Sequence, residues 1–151
     1  MKFILKSLFI GLILFGSLAS LSYAQMITDL TDQFKQATDL KREDIKNEYF
    51  GKEMSAAGIV TNVEEYNFFN EKKDLVKKYY RITTEEQKTL NNTPYQVIFL
   101  SNDLNSVKDI VKGQAITKTA KLIRLSDERL NISLWLYDGE ITAQEKELFA
   151  Q

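Results

Sequence analysis

The chain has 151 residues, 44% hydrophobic and 27% charged, with six Gly, one Pro, no His and no Cys. That is the make-up of one globular domain, and it excludes a disordered or low-complexity chain. Without His or Cys, no Ser-His-Asp or Cys-His catalytic arrangement, no disulfide and no ordinary transition-metal site can be built.

Lys2 and Lys6 precede an apolar run from Ser7 to Leu21, and Ser22-Tyr23-Ala24 puts small residues where a signal peptidase reads. This predicts a signal peptide over residues 1–24, cut between Ala24 and Gln25. The run is shorter than the ~20 residues of a bilayer span, so an uncleaved anchor helix is the weaker reading. With no Cys at the cut to carry a lipid, no membrane anchor is expected after cleavage, and the product should be periplasmic or secreted. Removing Lys2 and Lys6 leaves 18 basic against 21 acidic residues, a net charge of −3. Nucleic-acid partners favour dense positive charge, so none is expected.

Ile27, Leu30, Phe34 and Ala37 recur at helical spacing and predict an amphipathic helix with Thr28 as its cap. The pattern weakens at Lys41-Arg42 and resumes at Ile45 and Tyr49, so residues 25–50 read as a helical segment packing on the domain. Gly51 ends it. Lys52 to Val63 reads as a first strand, bent at Gly58. Glu64 to Lys78 is charged but holds Tyr66, Phe68 and Phe69, and reads as a long loop. The loop's rings either form a lip over a groove or fold back and are buried.

Tyr79 to Thr84 is the predicted second strand, with Arg81 and Ile82 on opposite faces. Tyr95 to Ser101 is the third and is apolar on both faces, so it should be covered on both sides, with the N-terminal helix as the natural cover. Asp103 to Val111 follows as a short helix capped by Asn102 or Asp103, and Gly113 ends it. The fourth strand runs from Ala115 to Leu125, and Ser126-Asp127-Glu128 is its turn. In the fifth, Arg129 to Asp138, Leu130, Ile132, Leu134 and Leu136 alternate and point inward, leaving Trp135 and Tyr137 outward. Thr142 to Phe149 is a short C-terminal helix.

Strand, helix, strand, turn, strand is the second half of a five-stranded Greek-key barrel, the OB-fold. The expected architecture is mainly β: an OB-fold over residues 51–140, an N-terminal amphipathic helix, a helix between strands three and four, and a short helix or tail over 141–151.

Tyr49-Phe50-Gly51-Lys52 followed by Ala57-Gly58-Ile59-Val60, and Val111-Lys112-Gly113-Gln114-Ala115-Ile116, resemble the signatures of the tRNA_anti-like family of bacterial secreted OB-fold proteins. The resemblance covers most of the chain after residue 24, and its motifs are structural. It implies the fold and no particular ligand.

No Ser after residue 24 is followed three residues on by Lys, the glycines form no phosphate-cradling loop, and the acidic pairs lack the spacing of a calcium loop. No enzyme activity and no cofactor or metal are therefore expected. An OB-fold binds across strands two and three and between its one–two and four–five loops. The candidate ligand-binding residues are Phe68 and Phe69 in the long loop, Tyr79 and Arg81 on strand two, and Trp135 and Tyr137 on strand five. Flat rings stack on sugars, and guanidinium groups pair with anions. The competing reading has the terminal helices packing over Trp135 and Tyr137. The function expected is an exported, non-enzymatic binding module for a protein partner, an envelope glycan or a small anion. The alternatives are an accessory subunit of an envelope assembly and, behind it, a module for single-stranded nucleic acid.

Overall fold

The computed structural model describes residues 25–70, 75–128 and 131–150. The predicted signal peptide, the Ala24 side of its cut, and Leu130 lie outside them. Helix α1 covers residues 25–36 and α2 covers Asp39–Tyr49. The strands are β1 (Glu53–Asn70), β2 (Leu75–Thr84), β3 (Gln87–Lys88), β4 (Pro94–Ser101), β5 (Ala115–Glu128) and β6 (Asn131–Tyr137). Helix α3 (Ala143–Phe149) closes the chain.

The protein is mainly β. Its six strands form one mixed sheet in the order β2-β1-β5-β6-β4-β3, and a further β2–β4 pairing joins its ends. Five strands therefore make a ring, β1-β2-β4-β6-β5 and back to β1, in which only β4 and β6 run parallel. Register shifts at Val60/Asn62 in β1 and at Leu122/Arg124 in β5 bend the two strands that change partner along their length. At Gly58, just before the first of these, an added Cβ would lie 2.7 Å from the Thr84 side chain, so only glycine lets β1 turn against β2.

Every strand of the ring sends alternate residues into one core, among them Met54, Ile82, Phe99, Leu122 and Leu134. Ile27, Leu30 and Phe34 of α1 join the same core. Arg42 ties α1 to α2 by donating to the Phe34 and Lys35 carbonyls, and Asp127 of β5 holds both helices through Lys35 (3.1 Å) and Arg42 (3.3 Å). Asp32 of α1 accepts from Thr89, Asn91 and Thr93 at 2.7, 2.8 and 2.6 Å, which fixes the tip of the β3–β4 hairpin. Burial acts to raise the Asp32 carboxyl, but these bonds, Thr93 foremost, bring it below its ordinary range.

Several expectations are corrected. The stretch from Glu64 to Lys78 is no long loop: β1 runs on to Asn70, and β2 starts at Leu75. Its charges are paired across the two strands, Glu64 with Arg81 and Glu65 with Lys78. The expected helix over Asp103–Val111 is a 3-10 turn of three residues, Leu104–Ser106. Asn, Ser, Asp and Val are weak helix formers, and here Asp103 and Ser106 satisfy the backbone locally, through Asn105 N–H to Asp103 and Ser106 Oγ to the Asp103 carbonyl. The segment still bridges β4 and β5, with Val107 in the core. Ser126 to Glu128 is strand, since Asp127 pairs with Ile132. Thr28 lies inside α1, where its hydroxyl donates to the Gln25 carbonyl. The outward residues of β4, Ile98 and Leu100, are covered by α3 and not by α1.

Candidate functional site

Beyond the Val60/Asn62 shift, Glu64, Tyr66 and Phe68 of β1 share a face, and so do Tyr79 and Arg81 of β2 and Trp135 and Tyr137 of β6. On that face a second cluster forms: Tyr79, Ile98, Leu100, Ile123, Trp135 and Tyr137, under Leu148 and Phe149 of α3. Its rings meet edge to face, with Phe68–Tyr79 at 5.5 Å, Tyr79–Tyr137 at 5.7 Å and Tyr137–Phe149 at 5.4 Å. Each buried ring contributes ~1.5–3 kcal/mol, and each such pair a further ~0.5–1.5 kcal/mol.

Glu145 fastens α3 to this face. It is 1% exposed, yet its carboxylate accepts from Lys77 Nζ (2.6 Å), Tyr79 OH (3.0 Å) and Tyr137 OH (2.9 Å). Its other oxygen accepts from the Thr142 N–H and hydroxyl, both at 2.9 Å, closing a capping box at the start of α3. Burial alone would raise this carboxyl; the donors, Lys77 first, hold it down at about 2. Desolvation, the hydrogen bond each hydroxyl donates to Glu145 and the carboxylate's charge push Tyr79 and Tyr137 well above the ordinary phenol range.

The predicted binding residues fall mostly into this cluster. Tyr79 and Tyr137 are wholly buried, Tyr137 against Phe149 of α3, and Trp135 is 6% exposed against Tyr66 and Phe68 of β1. Phe68 is half-buried against Tyr66, Tyr79, Trp135 and Phe149, in a strand and not a loop. The Phe69 side chain lies outside the described residues. Arg81 is half-buried like Phe68, and it is held by Glu64, whose carboxyl its guanidinium lowers. Arg81 stands 4.7 Å from the Tyr66 ring, and Arg81 and Arg124 each stand 5.7 Å from Trp135. The structure thus gathers these residues into one packed patch with little ring surface open to a ligand.

The open concavity lies elsewhere, between α2 and α3 over β5. It holds about 610 Å³, within the range of small-molecule sites. Its lining includes the half-buried Phe50, with Ile123 and Phe149, 2% and 3% exposed, behind it. Its charged rim is Lys46 of α2, Arg124 of β5 and Lys146 of α3, with Glu43 bound to Lys46 at 2.6 Å. Both lysines sit in the last turn of their helices, where a cation complements the dipole. Sequence reasoning missed this site because its lining is scattered over more than a hundred positions. The one signal available was the pair of late-turn lysines.

Among the described residues, no group of His, Cys, Asp and Glu could hold a metal ion, and no helix is long and apolar enough to cross a membrane. No family model, no curated protein and no solved structure matches the chain.

Proposed function

We propose that this chain is an exported, non-enzymatic binding module on an OB-fold, and that its ligand sits in the groove between α2, α3 and β5. Three observations support the fold reading: the ring order β1-β2-β4-β6-β5, its single parallel pair, and a connection between β4 and β5 that enters the core through Val107. The Lys-flanked apolar run ending in Ser22-Tyr23-Ala24 supports export.

The groove carries the functional reading. It is concave, lined by apolar and charged side chains together, and built on two helices and a strand that separate contacts hold in place. The accessory-subunit alternative expects the apolar face of the first helix in solvent, whereas Ile27, Leu30 and Phe34 are 3%, 1% and 1% exposed. The test is a fragment screen read by amide chemical shifts. Binders should move the amides of residues 122–126 and of α3, and a screen whose binders move only other residues would overturn the site.

A further inference from the structure

We infer that the exported chain closes its own N-terminus: Gln25, freed by the cut after Ala24, cyclises to pyroglutamate. This goes beyond the binding reading and rests on the export reading above. A cut at that bond leaves a glutamine at the chain's start, with an α-amine and a side-chain amide on one residue. The uncharged amine attacks Cδ of its own side chain. An N–Cδ bond forms, the Cδ–Nε2 bond breaks, and Nε2 leaves as ammonia carrying the amine's proton. No oxidant, metal or second reactant is needed.

The place of Gln25 in the fold suits the reaction and gives its product a use. Gln25 is exposed and is the first residue of α1. Its carbonyl accepts from the Thr28 hydroxyl at 2.9 Å, which ties down the side of the residue that the reaction does not touch. An ammonium here would sit at the positive end of the α1 dipole, and the lactam removes that charge. The new ring fixes φ as proline's does, which the first turn of a helix tolerates. Directly behind it, Met26 packs on the core and Ile27 is 3% exposed. An exposed terminus with a free amine is open to aminopeptidases, and trimming past Gln25 would strip these contacts from α1. The lactam offers such an enzyme no amine to hold.

The test is an intact-mass spectrum of the full chain, expressed with its leader in a bacterial host and taken from the periplasm or medium. The product should start at Gln25, weigh one ammonia less than the open chain, and resist N-terminal sequencing. After treatment with pyroglutamyl aminopeptidase, sequencing should read from Met26. Gln25→Glu should keep an open amine at neutral pH, because a carboxylate resists attack. A general aminopeptidase should then remove the first residue of this variant and leave the parent's mass unchanged. A product that starts at Gln25 and keeps its full mass on standing at neutral pH overturns the inference while export stands. Cleavage at another bond, or trimming of the parent as fast as the variant, overturns it in the same way. A chain that still carries its leader overturns the inference and the export reading together.

Discussion

Replacing Glu145 by Gln keeps the side chain's shape and removes its charge, and it should be the most revealing single change in this protein. In the folded chain the carboxyl is held at about 2, against an ordinary value of 4.5. A difference of that size corresponds to about 3 kcal/mol of folding free energy at neutral pH. The contact inventory gives the same order. Glu145→Gln leaves the Lys77 ammonium beside a neutral amide and sets a donor NH₂ either against Lys77 and the two buried phenols or against the Thr142 N–H, and each misplaced buried partner costs ~1–3 kcal/mol. For a domain whose total stability is ~5–15 kcal/mol, this is a large fraction. Because the folded-state value is depressed, the stabilisation is complete above pH 4.5 and drains away as pH falls toward 2. Urea unfolding followed through Trp135 fluorescence, repeated between pH 7 and pH 2, measures both effects. The parent should lose about 3 kcal/mol across that acid range from this group, and Glu145→Gln should begin about that much lower and show a flatter acid limb. A variant as stable as the parent at pH 7, with the same acid limb, would refute the role assigned to Glu145.

Other outcomes follow from the same contacts. Tyr79, Tyr95 and Tyr137 are pushed up by burial, so their stabilising contribution holds below pH 10 and is lost as pH rises beyond it. In a spectrophotometric titration these three should ionise only with unfolding, and ionisation of every tyrosine before unfolding would contradict the packing. Trp135, the single tryptophan and 6% exposed, should emit toward the blue and resist acrylamide quenching; quenching comparable to a free indole would contradict its packing against Tyr66 and Phe68. Gly58→Ala should lower stability by ~1–3 kcal/mol through overpacking against Thr84, readable as a lower urea midpoint. Asp32→Ala should release the β3–β4 hairpin tip, seen as faster amide exchange at Thr89 and Thr93, with a loss of ~1 kcal/mol.

What could be read in advance was whatever follows a hydrophobic period. Ile132, Leu134 and Leu136 alternate toward the core as expected, and Ile27, Leu30 and Phe34 occupy one helix face. Residues 64–78 were misread because Glu64 and Glu65 look like solvated loop until their partners Arg81 and Lys78 are placed opposite them, and those partners lie on the neighbouring strand. The segment after β4 looked helical from Leu104, Val107 and Ile110, but spacing does not register the side chains of Asp103 and Ser106 competing for the backbone. Trp135 and Tyr137 do point away from the first core, where Tyr66 and Phe68 pack on Trp135 and Phe149 of α3 packs on Tyr137; Glu145 fastens α3 there, and its partners Tyr79 and Lys77 lie more than sixty residues earlier. The groove was illegible for the same reason: only the folded chain brings Lys46, Arg124 and Lys146 to one opening.

On the function proposed above, the groove between α2 and α3, and not the ring-rich face beneath α3, receives the ligand. Amide chemical-shift mapping of the labelled protein with the binders from the fragment screen separates the two faces. Saturable shifts are expected at residues 122–126, Lys146 and Ala150, with the amides of Tyr79 and Arg81 unmoved. Saturable shifts centred on Tyr79, Arg81 and Trp135, with the groove silent, would contradict it.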